Sequence, residues 1–264
     1  MFDRGLAFGD GLFETMRISR AELPLLDYHI ERLLHGADQL GISMSEIVVR
    51  RDVALALEQA ETGKDTVWRL KYILTRGNSD SGYTPNPGAK ANRIMQMRPH
   101  DAGLIRLLQQ QGVKTISCQW RLAMQPALAG IKHLNRLDQV MARQELSDTD
   151  CFEGLIRDQN NLYVEGTMSN FFAVSHAGEL VTPALDQAGV DGILRRLIRD
   201  VLAPAIDKVC HEAEIRRMDE FSELFISNAM IGIVPVIAVD EAAFAIGPVT
   251  RQLQQVMQQS QLMP

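Results

Sequence analysis

The chain has 264 residues, 46% of them hydrophobic, 23% charged and 6% aromatic, a composition that excludes a disordered chain and can bury one large or two modest cores. The formal charge of −6 is spread without an acidic tail or a basic block, which argues against a dedicated nucleic-acid surface and leaves an anionic ligand open. Cys118, Cys151 and Cys210 form no Cys-x-x-Cys pair and no stretch approaches the roughly 20 apolar residues that cross a bilayer, so a disulfide scaffold, a structural zinc site and a membrane span are all disfavoured and the expected compartment is the cytoplasm.

In chain order, a Gly-containing turn near Phe8 leads into a strand over 12–16. After the turn at Pro24, His29, Leu33 and Leu34 open a helical periodicity that runs to Leu40, with Asp27 as its N-cap. A second helix is expected over about 44–60. Residues 66–74 alternate and are rich in Val, Trp, Leu, Tyr and Ile, which predicts a strand. A polar loop over 76–83 follows, then a returning strand over 93–97. These make an N-terminal α+β domain of residues 1–100, closed by a linker at Arg98–Gly103.

The remainder, 101–264, reads as an α/β domain. Strands are expected over 113–118, 153–157, 161–164, 170–175, 223–227 and 233–239. Helices are expected over about 134–146 and 193–202, and over 249–259 behind Gly247-Pro248. The fold class is therefore mixed α/β (α+β) in two domains.

Several segments carry groups with chemical potential. Lys132 lies between an Ala-Gly turn and a probable helix, with His133 and Arg136 close by; nearby positive charge and partial desolvation lower a lysine pKa toward catalytic use, although a lone lysine there is more often a surface group. His29 and Arg32 stand three apart on one helical face, where an arginine fork can grip a phosphate or simply edge a solvated helix. Asp191-Gly-Ile-Leu-Arg195 opens a helix whose amides at Gly192, Ile193 and Leu194 can hold an anion, or merely cap the helix. Glu165 ends a strand beside small polar residues, where a carboxylate can meet a protonated ring nitrogen or face solvent. Ser227 and Asn228 interrupt an apolar stretch, as a polar turn or as donors at a cofactor rim. No metal site is expected.

Taken together, Phe8-Gly-Asp-Gly-Leu-Phe-Glu14, His29-Ile-Glu-Arg-Leu33, Ile131-Lys132, Glu165–Asn170 and Gly189–Arg195 resemble, in order and over nearly the whole chain, the fold-type IV pyridoxal-phosphate enzymes. That family includes branched-chain aminotransferases, D-amino-acid aminotransferases and aminodeoxychorismate lyases. The resemblance implies pyridoxal 5'-phosphate between two domains, held by Lys132 as a Schiff base. Arg32 would bind its phosphate and Glu165 its pyridine nitrogen, with the amides of Gly192, Ile193 and Leu194 and the Asn228-Ala229 turn completing the phosphate cradle. The threonine with which the family's aminotransferases add a phosphate contact is absent near Leu194 and Ala229, so backbone amides are expected to substitute. The chain also begins closer to Phe8–Gly11 than its relatives do, so their initial strand hairpin is expected to be missing.

Ala129-Gly-Ile-Lys-His-Leu-Asn-Arg-Leu137 and Ile226-Ser-Asn-Ala229 look like the lyase branch. The implied reaction converts 4-amino-4-deoxychorismate, a small dicarboxylate, to 4-aminobenzoate and pyruvate, as in folate biosynthesis. Lys132 would act as the base at the carbon bearing nitrogen, and Arg17, Arg76 and Tyr83 are candidates for gripping the substrate. The family further implies a homodimer. The alternatives are a D-amino-acid or branched-chain aminotransferase of the same fold, or a cofactor-binding protein that has lost catalysis.

Overall fold

The structure is a computed structural model in which residues 2–20, 22–59, 67–79, 82–86 and 88–260 are described. The chain divides into two compact units, Met1–Ala102 with Ile131–Arg136, and Gly103–Gly130 with Leu137–Pro264. A single cut at residue 100 leaves Lys132 in the second unit; the structure groups its short segment with the first.

In the first unit, helix α1 (Arg4–Phe8) ends at Gly9 in the left-handed region and strand β1 (Gly11–Ser19) follows. Helices α2 (Leu26–Leu40) and α3 (Glu46–Glu58) come next, then strands β2 (Val67–Thr75) and β3 (Asn92–His100). The three strands form an antiparallel sheet in the order β1-β2-β3. Leu12, Met16 and Ile18 of β1 alternate into the core with Leu70, Tyr72 and Leu74 of β2, as a half-buried sheet requires. Helix α2 lies close to β1 because Gly36 has no side chain there: a Cβ would come within 3.0 Å of Leu12 Cδ2 and 3.1 Å of Ile131 Cγ2.

Several expectations about this unit need correction. Leu25, not Asp27, occupies the cap of α2, and Asp27 sits in the first turn, where it accepts from Arg50 at 2.6 Å. The proposed linker is partly strand, since β3 runs through Arg98 and Pro99 to His100. Pro99 is tolerated because, among the described residues, β3 pairs only with β2, and an edge strand can spare an N–H donor. Thr66 and Ala60, at the limits of predicted elements, and Asp80 and Ser81 of the polar loop lie outside the described residues.

The second unit opens with helix α4 (Ala102–Gln111), absent from the sequence expectation, and continues through β4 (Val113–Leu122), α5 (Leu137–Gln144), β5 (Glu153–Asp158), β6 (Tyr163–Gly166), β7 (Asn170–Ser175) and β8 (Leu180–Pro183). Helix α6 (Ile193–Leu197) runs on as a π-helical turn (Ile198–Leu202), and β9 (Cys210–Ala213), β10 (Phe221–Asn228), β11 (Gly232–Val239), β12 (Ala242–Ala243) and α7 (Pro248–Gln259) complete it. Its nine-stranded mixed sheet has the order β6-β5-β4-β11-β10-β7-β8-β9, with β12 beside β11. Phe172 of β7 and Phe225 of β10 stack with centroids 4.8 Å apart at the centre of this sheet.

Helix α7 starts at Pro248, whose missing N–H costs nothing at a first helical position. The next two amides are met by a buried strand carboxylate, as Val249 N–H and Thr250 N–H donate to Glu223 at 3.2 and 3.0 Å. Val249, Leu253 and Met257 then fall on one buried face.

Candidate active site

In the first unit the central feature is a buried ionic cluster. Glu14 lies on the inward face of β1 and is 1% exposed. His29 and Arg32, one turn apart on α2, both reach it: His29 Nδ1 lies 2.7 Å from Glu14 Oε2, and Arg32 Nε donates to Oε1 at 2.8 Å while Nη2 bonds Oε2. The arginine fork is thus planar against a carboxylate, a strong and directional arrangement. Burial raises the Glu14 carboxyl, but the Arg32 charge and the bonds from His29 and Arg32 outweigh it and hold it at about 2. Burial pushes His29 below its ordinary value against the pull of Glu14, and the charges of Arg32 and Lys132 push the same way.

Lys132 is stitched to the same strand. Phe13 N–H donates to the Lys132 carbonyl at 3.0 Å and Leu134 N–H to the Gly11 carbonyl at 2.9 Å, so residues 132–134 run antiparallel to β1 with His133 opposite Leu12. This ladder is why α5 begins at Leu137 and not at Leu134, as predicted. The Lys132 ammonium sits 4.5 Å from the Phe13 ring centroid.

Of the residues expected to grip substrate, Arg76 is engaged in a clasp. Its guanidinium donates to Asp10 Oδ2 at 2.7 Å, to the Gly41 carbonyl at 2.9 Å and to the Leu40 carbonyl at 2.5 Å, tying the Gly9-Asp10 turn to the end of α2. Tyr83 is exposed, with its ring centroid 5.2 Å from that of Phe8. Arg17 is on β1, four residues beyond Phe13 on the same face.

In the second unit, Glu165 at the end of β6 is buried and held by two donors: Gln139 Nε2 to Oε1 at 3.0 Å and Val190 N–H to Oε2 at 2.8 Å. The loop that follows is organised by another buried carboxylate, Glu153, which accepts from Thr167 N–H at 3.1 Å, Met168 N–H at 3.2 Å and Ser169 Oγ at 2.8 Å. Gly192 forms the N-cap of α6 without a side-chain cap bond, and a Cβ there would lie 2.0 Å from Asn170 Oδ1. The amides of Ile193 and Leu194 therefore begin a helix with no side-chain acceptor at its cap, and both residues are buried. Asn228 serves its own turn: Oδ1 accepts from Met230 N–H at 2.9 Å and Ile231 N–H at 3.0 Å, beside Ala229. The neighbouring Ser227 hydroxyl is buried with no hydrogen-bond partner among the described residues.

Glu14, Gln139 and Glu153 had no assigned role in the sequence reading. Glu14 carried a visible signal, a carboxylate in the inward phase of an alternating strand (Leu12, Glu14, Met16, Ile18), which is costly unless paired. Gln139 carried none, because its meaning depends on contact with Glu165.

Residues 11–239 match the family described as amino-transferase class IV. The structure is similar to that of 4-amino-4-deoxychorismate lyase from Pseudomonas aeruginosa, with 38% identity and a TM-score of 0.91, covering 100% of this chain and 95% of that one. Among characterised sequences, an aminodeoxychorismate lyase of Vibrio harveyi is 28% identical over 257 residues, spanning 96% of this chain and 93% of the relative. A D-alanine aminotransferase of Bacillus licheniformis is 29% identical over 275 residues, spanning 98% and 90%. The fold is that of the fold-type IV enzymes, and the chain belongs to the amino-transferase class IV family.

Proposed function

We propose that this protein is a pyridoxal-phosphate-dependent lyase that converts 4-amino-4-deoxychorismate to 4-aminobenzoate and pyruvate. The observation that carries this reading is the full-length likeness, at 38% identity, to the Pseudomonas aeruginosa lyase. The donor types within each unit suit the cofactor. The first unit offers a lysine seated on β1 and an arginine whose fork is oriented by a buried carboxylate, and the second a carboxylate fixed by two donors and a helix start beside a glycine that tolerates no side chain.

When bound to Lys132 through its aldehyde, pyridoxal phosphate supplies an electron sink for charge developing on the carbon next to the substrate nitrogen. Lys132 Nζ would take the proton at that carbon and so act as the general base. Arg32 would hold the phosphate, its plane set by Glu14, and the amides of Gly192, Ile193 and Leu194 would add donors at a helix start. The turn at Asn228-Ala229 is the remaining phosphate candidate. Glu165 would hold a proton at the ring nitrogen. Gln139 and the Val190 amide both donate to it and fix its orientation. A homodimer and a cytoplasmic location belong to the same reading; among the described residues no helix is long and apolar enough to cross a membrane.

The test is pyruvate and 4-aminobenzoate formation from chorismate, supplied with an amidating synthase and ammonia, by the protein and its Lys132→Ala variant. Both products from the unmodified protein and none from the variant are expected. The likeness to D-alanine aminotransferase favours the second reading, transamination, for which the same lysine serves. Turnover of D-alanine with a 2-oxo acid, with no pyruvate released from chorismate, would establish that instead.

A further inference from the structure

A fully buried carboxylate, Glu153, stands at the start of β5, and the loop after β6 is wrapped around it. Its Oε1 accepts from the Gly154 and Thr167 amides at 3.0 and 3.1 Å and from the Thr167 hydroxyl. Its Oε2 accepts from the Met168 amide at 3.2 Å and the Ser169 hydroxyl at 2.8 Å. Arg143 Nη1 supplies the counter-charge at 3.2 Å. The cage closes only because residue 166 is glycine: a Cβ there would lie 2.4 Å from Ser169 Oγ and 3.0 Å from Glu153 Cδ. A buried carboxylate needs such donors, and meeting that need fixes the backbone of residues 167–169.

The same loop also reaches the end of β10. The Met168 carbonyl accepts from Asn228 Nδ2 at 3.1 Å. At the other end of that side chain, Asn228 Oδ1 accepts from the Met230 and Ile231 amides at 2.9 and 3.0 Å. Asn228 is therefore held from both sides, and the Met168 carbonyl is the acceptor that keeps its amide oxygen turned toward the 228–231 turn. Glu165, which precedes the loop, is held separately by Gln139 and the Val190 amide, so loosening the loop leaves its partners in place.

We propose that Glu153 is a positioning residue for the cofactor phosphate: through the 167–169 loop and the Met168 carbonyl it sets Asn228, and with it the Asn228-Ala229 turn. That this turn meets a phosphate rests on the pyridoxal-phosphate reading above. Glu153 is fully buried and reaches no ligand itself. Its effect is transmitted by hydrogen bonds, from β5 to the loop and from the loop to the turn that joins β10 and β11.

The test titrates the full chain, freed of cofactor, with pyridoxal phosphate and with pyridoxal, which lacks the phosphate. It compares the unmodified protein with Glu153→Gln, Ser169→Ala, Asn228→Ala and the Glu153→Gln/Asn228→Ala double variant. Glu153→Gln turns a donor into the cage and should weaken pyridoxal phosphate binding about tenfold; Ser169→Ala removes one donor and should weaken it about threefold. Pyridoxal binding should stay within about twofold in both. The double variant should bind pyridoxal phosphate no more than about twofold more weakly than Asn228→Ala, because both changes act on one path. Thr250→Val loses a buried bond to another carboxylate, Glu223, near the other end of β10. It should lower the urea midpoint and leave both affinities unchanged.

Unchanged pyridoxal phosphate binding in Glu153→Gln, equal weakening of both ligands, or a fully additive loss in the double variant would overturn the proposal. Should Glu153→Gln not fold, Ser169→Ala decides by the same comparison: without a selective loss of pyridoxal phosphate binding the proposal falls. No binding of pyridoxal phosphate by the unmodified protein would sink the cofactor reading and the proposal with it. The selective loss, in a protein that forms no pyruvate, would sink only the lyase reading and leave Glu153 in its role.

Discussion

The two faces of the three-stranded sheet treat charge in opposite ways. On the inward side two buried carboxylates are compensated: Glu14 by His29 and Arg32, and Asp52 by the Tyr72 hydroxyl at 2.9 Å and Arg93 Nε at 2.6 Å. On the outward face Arg69, Lys71 and Arg98 share no ion pair with any described carboxylate. A buried charge without a partner is too costly to keep, so the inward face must be satisfied by the fold itself. A half-exposed cation is solvated and can wait for a ligand. The contrast separates charges that hold the structure from charges left available for chemistry.

The largest effect should come from breaking the inward cluster. Glu14→Ala leaves Arg32 and His29 without their common partner, and a loss of about 3–5 kcal/mol in urea unfolding is expected; a loss below about 1 kcal/mol would show that the cluster is not structural.

The acid limb of stability is the next test. Glu14 has its folded pKa depressed to about 2, so its contribution is present above the unfolded carboxylate value and is lost as pH falls toward 2. His29, also depressed in the fold, acts in the same direction at higher pH: the unfolded chain binds its proton first, near 6.5, so stability begins to fall below that value. Together they should cost a few kcal/mol between about pH 6.5 and 2, and Glu14→Gln should flatten the lower part of that profile in pH-dependent unfolding.

Smaller effects follow from single contacts. Tyr72→Phe removes one buried hydrogen bond but leaves Asp52 with Arg93, so about 1 kcal/mol is expected in denaturant unfolding. At the lower end, Lys71→Met on the outward face should change stability by no more than about 0.5 kcal/mol, although the substitution removes a charge. A cost for Lys71→Met comparable to that for Glu14→Ala would erase the distinction between the faces.

Much of the fold could be read locally. The alternation in β1 and β2, the apolar spacing of α2 and α7, and Gly247-Pro248 before α7 are signals contained within a few residues, and each element forms where they occur. Helix α4 was obscured because Pro99 and Gly103 mimic a linker, while only Ile105 of that helix is buried. Strands β8 and β9 are four residues each, too short for alternation to register, and they form because each completes a neighbour's ladder. The motif residues were visible one segment at a time, but the bidentate pairing of Arg32 with Glu14, eighteen residues earlier, was not.

What local pattern provided, then, was which segments become strands and helices and which side chains carry reactive groups, because hydrophobic period and turn chemistry act over a few residues. Partnership needed long-range contact. The segment of Lys132 joins β1 through the Phe13 N–H to the Lys132 carbonyl and the Leu134 N–H to the Gly11 carbonyl, more than a hundred residues away, and three arginines face one another only because strand register aligns positions 17, 69 and 98. Register and burial are set by the packing of whole elements, and these decide which charges meet inside the fold.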